Sequence, residues 1–193
     1  MLVINGGSSS IKFAFFVHDT PTKLWGGKID RIGLPGATLT LTDANGKDDA
    51  LSLEIPDALT AVQVLIAVLT DRVDVAKVAA IGHRFVHGMG IAEHAVITDD
   101  LLTSIRSHAD VDPEHLPMQL AIVDACKDTF PVLMQVACFD TVFHHDMPRV
   151  AQLLPIPRRY EAKGMRRYGF HGLSCEYLIQ ELRRIDPERA DKK

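Results

Sequence analysis

Leu2-Val3-Ile4-Asn5-Gly6-Gly7-Ser8-Ser9-Ser10-Ile11-Lys12 decides how the rest of this chain is read. A short apolar run meets a Gly/Ser turn that ends on a lysine. Two glycines let the backbone take positive φ and approach a ligand, three hydroxyls offer hydrogen bonds, and Lys12 adds a positive charge. Two readings stay open: a loop that grips phosphate, and a β-hairpin with a polar turn, since Gly and Ser dominate turns generally. The patterns G-x-x-x-x-G-K-[ST] and G-x-G-x-x-G are both absent.

Short apolar runs alternate with turn residues through the first third: Leu2 to Gly6, Lys12 to His18, Leu24 to Ile32, Ala37 to Thr42 and Ala50 to Ile55, punctuated by Pro21, Gly33, Pro35, Asn45 and Gly46. This predicts a strand-rich, largely antiparallel opening. From Asp57 the period changes. Ala58, Ala61, Val62, Leu65, Ile66 and Leu69 share one helical face behind the N-cap candidate Asp57, which predicts a helix of about four turns. Strands follow at Val78 to Val86, Ala95 to Thr98 and Met134 to Asp140, with a helix capped by Asp99 or Asp100 running to about His108 and another at Met118 to Thr129. Asp112 to Pro117 reads as a Pro-rich loop. Antiparallel strands first and strand-helix units afterwards predict an α/β fold of the ribonuclease-H-like, actin-like type, a mixed sheet with flanking helices.

The stretch Thr141 to Gly172 is loop-rich, an amphipathic helix is expected from Leu173 to about Ile185, and Asp186 to Lys193 is a charged tail. Composition shifts near Asp140, so residues 1–145 are read as one domain and 146–193 as the start of a second, truncated one.

With 47% hydrophobic residues over 193 positions, the chain can bury a sizeable core. Its 21 basic and 25 acidic residues give a net charge of −4, spread without a basic stripe, which argues against nucleic acid and an anionic membrane and for a small-molecule partner. No apolar run is long enough to cross a bilayer and no signal peptide opens the chain, so the expected location is cytoplasmic. Cys126, Cys138 and Cys175 are odd in number, widely spaced and without C-x-x-C, which suits reduced packing thiols.

Asn5, Arg84, Asp140 and His171 place polar groups in runs that otherwise read as buried. Ligands of open α/β sheets gather at the carboxyl ends of strands, where Arg84 and Asp140 are expected. Arg84, between Gly82 and Gly88, suits a bidentate clamp on carboxylate or phosphate, or a structural ion pair. Asp140 suits Mg²⁺, or the capping of the next turn. His171 is either a donor to a developing oxyanion or a satisfied loop histidine. His83 and His87 stand four apart without a glutamate after His83, and the segment reads as a strand, so a zinc pair is not expected there; His144-His145 is weak evidence for metal. The basic cluster Arg158, Arg159, Lys163, Arg166 and Arg167 reads as a solvated or domain-contacting loop.

Four blocks in order resemble the acetate kinase family of acyl kinases, in the acetate and sugar kinase, Hsp70 and actin superfamily: Val3 to Lys12, Gly82-His83-Arg84-Phe85-Val86-His87-Gly88, Phe139-Asp140-Thr141-Val142-Phe143-His144, and Arg167-Tyr168-Gly169-Phe170-His171-Gly172-Leu173-Ser174. The resemblance implies in-line transfer of the ATP γ-phosphoryl group to acetate or another short carboxylate such as propionate, with Mg²⁺. It implies that Arg84 binds the carboxylate and the phosphoryl group, that Asp140 organises Mg²⁺ and the arginines, and that His171 stabilises the transition state. Asn5, as metal ligand, would line the phosphate side with Ser8, Ser10 and Lys12, and His115 would add a donor. Val86 and Phe170 would pack the alkyl tail. Full-length family members are homodimers.

Three departures accompany it. Glu114-His115-Leu116-Pro117 stands where the family usually has a small apolar residue followed by His-Asn-Pro, and Gly88-Met89-Gly90 replaces a Gly-Gly pair. Family members are roughly twice as long, so the expectation is an N-terminal fragment that is inactive alone. Two alternatives stand beside it: a sugar-kinase or actin-like ATPase, and a non-catalytic phosphate-binding remnant. The first usually has Asp where Asn5 stands.

Overall fold

A computed structural model describes residues 1–17, 20 and 22–190. Strands β1 (Leu2–Gly6), β2 (Ser10–Phe16), β3 (Lys23–Asp30), β4 (Ala37–Thr42) and β5 (Asp48–Leu53) pair antiparallel in sequence order. Helix α1 (Ala58–Arg72) then carries the chain to β6 (Ala80–Phe85), which lies parallel to β1 with Ile4 opposite His83. Adding β7 (Ala95–Val96) and β8 (Met134–Phe139) gives one eight-stranded mixed sheet, ordered β5-β4-β3-β2-β1-β6-β8-β7. This is the mixed sheet with flanking helices that the sequence predicts. The expected strand end at His18, the turn residue Pro21 and the last residues of the charged tail lie outside the described residues.

Contacts gather the chain into two compact units, Met1–Phe85 with Ala95–Cys138, and Val86–His94 with the chain from Phe139 onward. In the first unit the core forms because β-strand side chains alternate while helical ones recur every three or four residues. Leu2, Ile4, Ile11, Phe13, Phe15, Ile29 and Ile81 point to the face covered by Ala61, Val62, Leu65 and Leu69 of α1 and by Met118, Ile122 and Cys126 of α3 (Leu116–Thr129). Fully burying each large aliphatic side chain stabilises the fold by about 1.5–3 kcal/mol before entropy is counted. Asp57 caps α1 as expected, its carboxylate accepting from Thr60 N and Oγ1 at 2.8 Å each. Cys126 sits in this core, where burial pushes its thiol pKa up to about 12 and leaves it a packing residue.

Two helix starts differ from expectation. Thr98, not Asp99 or Asp100, caps α2 (Asp99–Arg106): Thr98 is extended and accepts from Leu101 N, whereas both aspartates already have helical backbone and sit in the first turn. Helix α3 begins at Leu116, inside the expected Pro-rich loop, because Pro117 falls in the first turn, where a missing N–H is no loss.

The second unit is built from short pieces: a turn at Val142–His144, α4 (Arg149–Gln152), a turn at Glu161–Lys163, then α5 (Gly172–Ile185) and α6 (Pro187–Ala190). The described part of the charged tail thus makes one further helical turn. No helix among the described residues is long and apolar enough to cross a membrane.

Candidate active site

The opening stretch folds as a hairpin. Gly7 N donates to Ser10 O at 2.8 Å and closes the turn that carries Ser8 and Ser9, while Asn5 pairs with Lys12 across β1 and β2. Gly6 is required by close approach: a Cβ there would meet Ile122 Cδ1 at 2.7 Å, so α3 lies directly on the turn. Gln119, on the same helix face, donates from Nε2 to Gly6 O at 3.3 Å.

Strand register then assembles a polar row. Val3 stands opposite Gly82 in the parallel pair, so Asn5 and Arg84, two residues on, share a face with Lys12 on the side away from α1 and α3. Arg84 Nη1 donates to Asn5 Oδ1 at 3.0 Å, and both side chains are half-buried at the carboxyl ends of their strands. The amide oxygen of Asn5 therefore faces a guanidinium. The Arg84 guanidinium is a planar fork of N–H donors, the geometry that matches a carboxylate or phosphate.

His115 stands at the start of α3, its Nδ1 2.8 Å from Asp112 Oδ1. Glu114 beside it is exposed, so it carries no cost of a buried unpaired carboxylate. Ser8 and Lys12 are exposed and Ser10 half-buried.

In the second unit, Asp140 is 2% exposed and its carbonyl accepts from Gly172 N at 2.9 Å, which ties the end of β8 to the start of α5. Thr141 Oγ1 accepts from Gly88 N at 3.0 Å, so the loop after β6 is fastened to the same turn. His87 is buried; its Nδ1 accepts from Met89 N at 2.9 Å and its ring stands edge-on to Phe170 at 5.6 Å. Val86 is half-buried beside it in the chain, and Phe170 is partly exposed. Met89, at φ 50°, takes a conformation that glycine adopts without strain, the structural consequence of the departure from a Gly-Gly pair. His171 precedes α5 at φ 59°, and its imidazole is exposed.

One histidine of each pair is engaged by a protein oxygen. His83 is buried with Nε2 2.7 Å from Gln135 Oε1, and His144 Nε2 donates to Phe170 O at 3.0 Å. No group of three or more His, Cys, Asp or Glu able to hold a metal exists among the described residues. Burial drives the His83 pKa down to about 4 from an ordinary 6.5. A histidine depressed in the folded state stabilises fully above its unfolded pKa and loses that contribution as pH falls towards the folded one. Folding free energy should therefore decline by about 1.4 kcal/mol per pH unit between about pH 6.5 and 4 from this residue. Denaturant titrations across that range should show this slope in the parent chain and its loss in His83→Gln; equal slopes would remove His83 from the account.

Sequence reasoning did not single out Gln119, Thr141 or His87 as positioning groups. Thr141, next to Asp140, was within reach; Gln119 was not, because its partner Gly6 lies 113 residues away.

The Acetokinase family profile matches residues 1–192. The chain is 40% identical over 192 residues to an acetate kinase of Desulfitobacterium hafniense, covering 96% of this chain and 48% of the relative. It is 40% identical to an acetate kinase of Parabacteroides distasonis over 185 residues, covering 92% of this chain and 46% of that one. The crystal structure of Porphyromonas gingivalis acetate kinase superposes with a TM-score of 0.84 at 33% identity, over 99% of this chain and 50% of its own. A propionate kinase from Francisella tularensis superposes with a TM-score of 0.83 at 31% identity, over 95% of this chain and 48% of its own. The fold is therefore the actin-like ATPase fold of these kinases, and the chain spans about half the length of the curated relatives it matches. On this evidence of sequence and fold together, the chain belongs to the acetokinase family.

Proposed function

We propose that this chain supplies the carboxylate- and phosphoryl-handling residues of a cytoplasmic acetate kinase, which transfers the γ-phosphoryl group of ATP directly to acetate, or to another short carboxylate such as propionate, giving an acyl phosphate and ADP. The observation that carries this reading is the Arg84 guanidinium held by Asn5 Oδ1 at the carboxyl ends of two parallel strands, in one row with Lys12. Phosphoryl transfer asks little covalent chemistry of the protein and much positioning and charge neutralisation. Arg84 provides both, binding the carboxylate and neutralising the phosphoryl oxygens. Lys12, with the Ser8 and Ser10 hydroxyls, faces the phosphates, and His115 adds a donor oriented by Asp112. His171 steadies the equatorial oxygens, and Val86 with Phe170 packs the alkyl tail.

Mg²⁺ would lower the charge repulsion between phosphate oxygens and the incoming carboxylate. The donor chemistry fits: Asp140 and Asn5 offer hard oxygen ligands, and a Mg²⁺ that arrives with nucleotide phosphates needs only one or two from the protein. Full-length assembly as a homodimer belongs to the same reading.

The test is carboxylate-dependent release of ADP from Mg-ATP by the chain joined with the second half of a relative, comparing acetate, propionate and butyrate. ADP release that rises with acetate or propionate supports the proposal. Release indifferent to any carboxylate points to an ATPase instead. In that preparation Asp140→Asn should shift the Mg²⁺ requirement upward by about tenfold or more, as expected for a lost charged ligand or orienting group. An unaltered Mg²⁺ titration would remove Asp140 from metal organisation.

A further inference from the structure

Phe170, the residue proposed above to pack the alkyl tail, is held at two points within the second unit. Its carbonyl accepts from His144 Nε2 at 3.0 Å, and the adjoining Gly169 lies so close to that imidazole that a Cβ there would collide with it. Its ring is met edge-on by the His87 imidazole, with centroids 5.6 Å apart and planes at 71°. That is the edge-to-face arrangement in which aromatic rings attract. Phe170 nevertheless stays 40% exposed, so His87 backs one part of the ring and the rest is open.

His87 is the fixed member of the pair. It is 8% exposed, its Nδ1 accepts from Met89 N at 2.9 Å, and a second ring, Tyr168, stands 4.5 Å away at 64°. The backbone after it is fastened as well. Gly88 N donates to Thr141 Oγ1 at 3.0 Å, and Gly88 O accepts from Ile91 N at 2.8 Å. A Cβ on Gly88 would meet Phe139 Cβ and Cγ at 3.1 Å each, so this loop lies directly on the end of β8.

A buried ring that cannot retreat limits how far Phe170 can yield, because close-packed interiors pass displacement from one side chain to the next. A firm wall rejects an alkyl tail that is too long, and a pocket resolves one methylene by about 10- to 200-fold. A yielding wall loses that discrimination.

We propose that His87 is a positioning residue for substrate selection: its ring edge backs Phe170 and thereby sets the length of alkyl tail that the carboxylate can carry. The inference rests on the kinase reading above and on Phe170 lining the tail. Two substitutions separate the ring from the hydrogen bond. His87→Asn keeps an acceptor for Met89 N and deletes the ring edge, whereas His87→Phe keeps an aromatic edge and deletes the acceptor.

The experiment measures kcat and KM for acetate, propionate and butyrate with Mg-ATP, in the chain joined with a relative's second half. In His87→Asn the ratio of kcat/KM for acetate over butyrate should fall about tenfold, through KM, with kcat for acetate within about threefold of the parent. His87→Phe should keep the parent ratio. In a Phe170→Leu background, His87→Asn should leave the ratio unmoved, as expected if His87 acts through Phe170. Selectivity kept in His87→Asn and lost in His87→Phe would make His87 a fastener of the loop through Met89 and overturn the proposal. An unmoved ratio in both variants, an equal loss with all three carboxylates, or a full effect of His87→Asn without Phe170 would each overturn it too. A parent preparation that turns over no carboxylate defeats the kinase reading and this inference with it, whereas an active parent with an unmoved ratio defeats this inference alone.

Discussion

Arg84→Ala lowers kcat/KM for the carboxylate by about 100-fold or more in the chain joined with a relative's second half, the scale of losing one oriented donor to developing charge in a dry site. The prediction rests on geometry. Arg84 is half-buried, fixed by Asn5, and on the sheet face opposite α1 and α3. Arg84→Lys recovers little, because a point charge cannot reproduce a planar fork that holds Asn5 and a substrate together. The expected loss divides between KM and kcat, since the same guanidinium would bind the ground-state carboxylate and the transferring phosphoryl group. Kinetics within about threefold of the parent would remove Arg84 from the chemistry and leave it a structural partner of Asn5.

Gly172→Ala destabilises the chain by about 3 kcal/mol or more, at the upper end of overpacking effects. A Cβ at this position collides with the Asp140 carbonyl oxygen and approaches Phe143 Cβ at 2.7 Å. The first obstacle is backbone and cannot swing aside. Relief requires parting the Gly172 N to Asp140 O hydrogen bond, so the substitution shifts Asp140 and His171 together. Chemical denaturation of the parent and the variant measures it. A change below about 1 kcal/mol would mean that the α5 start is not rigidly tied to the end of β8.

Local features were the legible ones. The β1–β2 turn, the Asp57 cap and the apolar stripe of α1 depend on residues within a few positions of one another, and they stand in the structure as the sequence predicts. The start of α2 was misplaced by one residue because Thr98, Asp99 and Asp100 all favour a helix N-terminus, and only backbone conformation decides which one caps. The start of α3 was missed for a similar reason, since proline both breaks helices and opens them.

Long-range partners were not legible. Asn5 meets Arg84 across 79 residues and His83 meets Gln135 across 52, and both pairings follow from strand order and register, to which single-sequence periodicity is blind. Periodicity nevertheless placed Asn5 and Arg84 as polar interruptions in buried runs, so the members of the row could be named before their contact was known. The exposed position of Glu114 and the positive φ of Met89 likewise emerge only from the folded backbone.

The most direct measurement traps acyl phosphate with hydroxylamine from Mg-ATP and acetate, propionate or butyrate, using the chain alone and the chain supplied with a relative's second half. The account predicts hydroxamate with acetate or propionate in the joined preparation, abolished by Arg84→Ala. Hydroxamate absent from a folded, joined preparation that still binds nucleotide would contradict it.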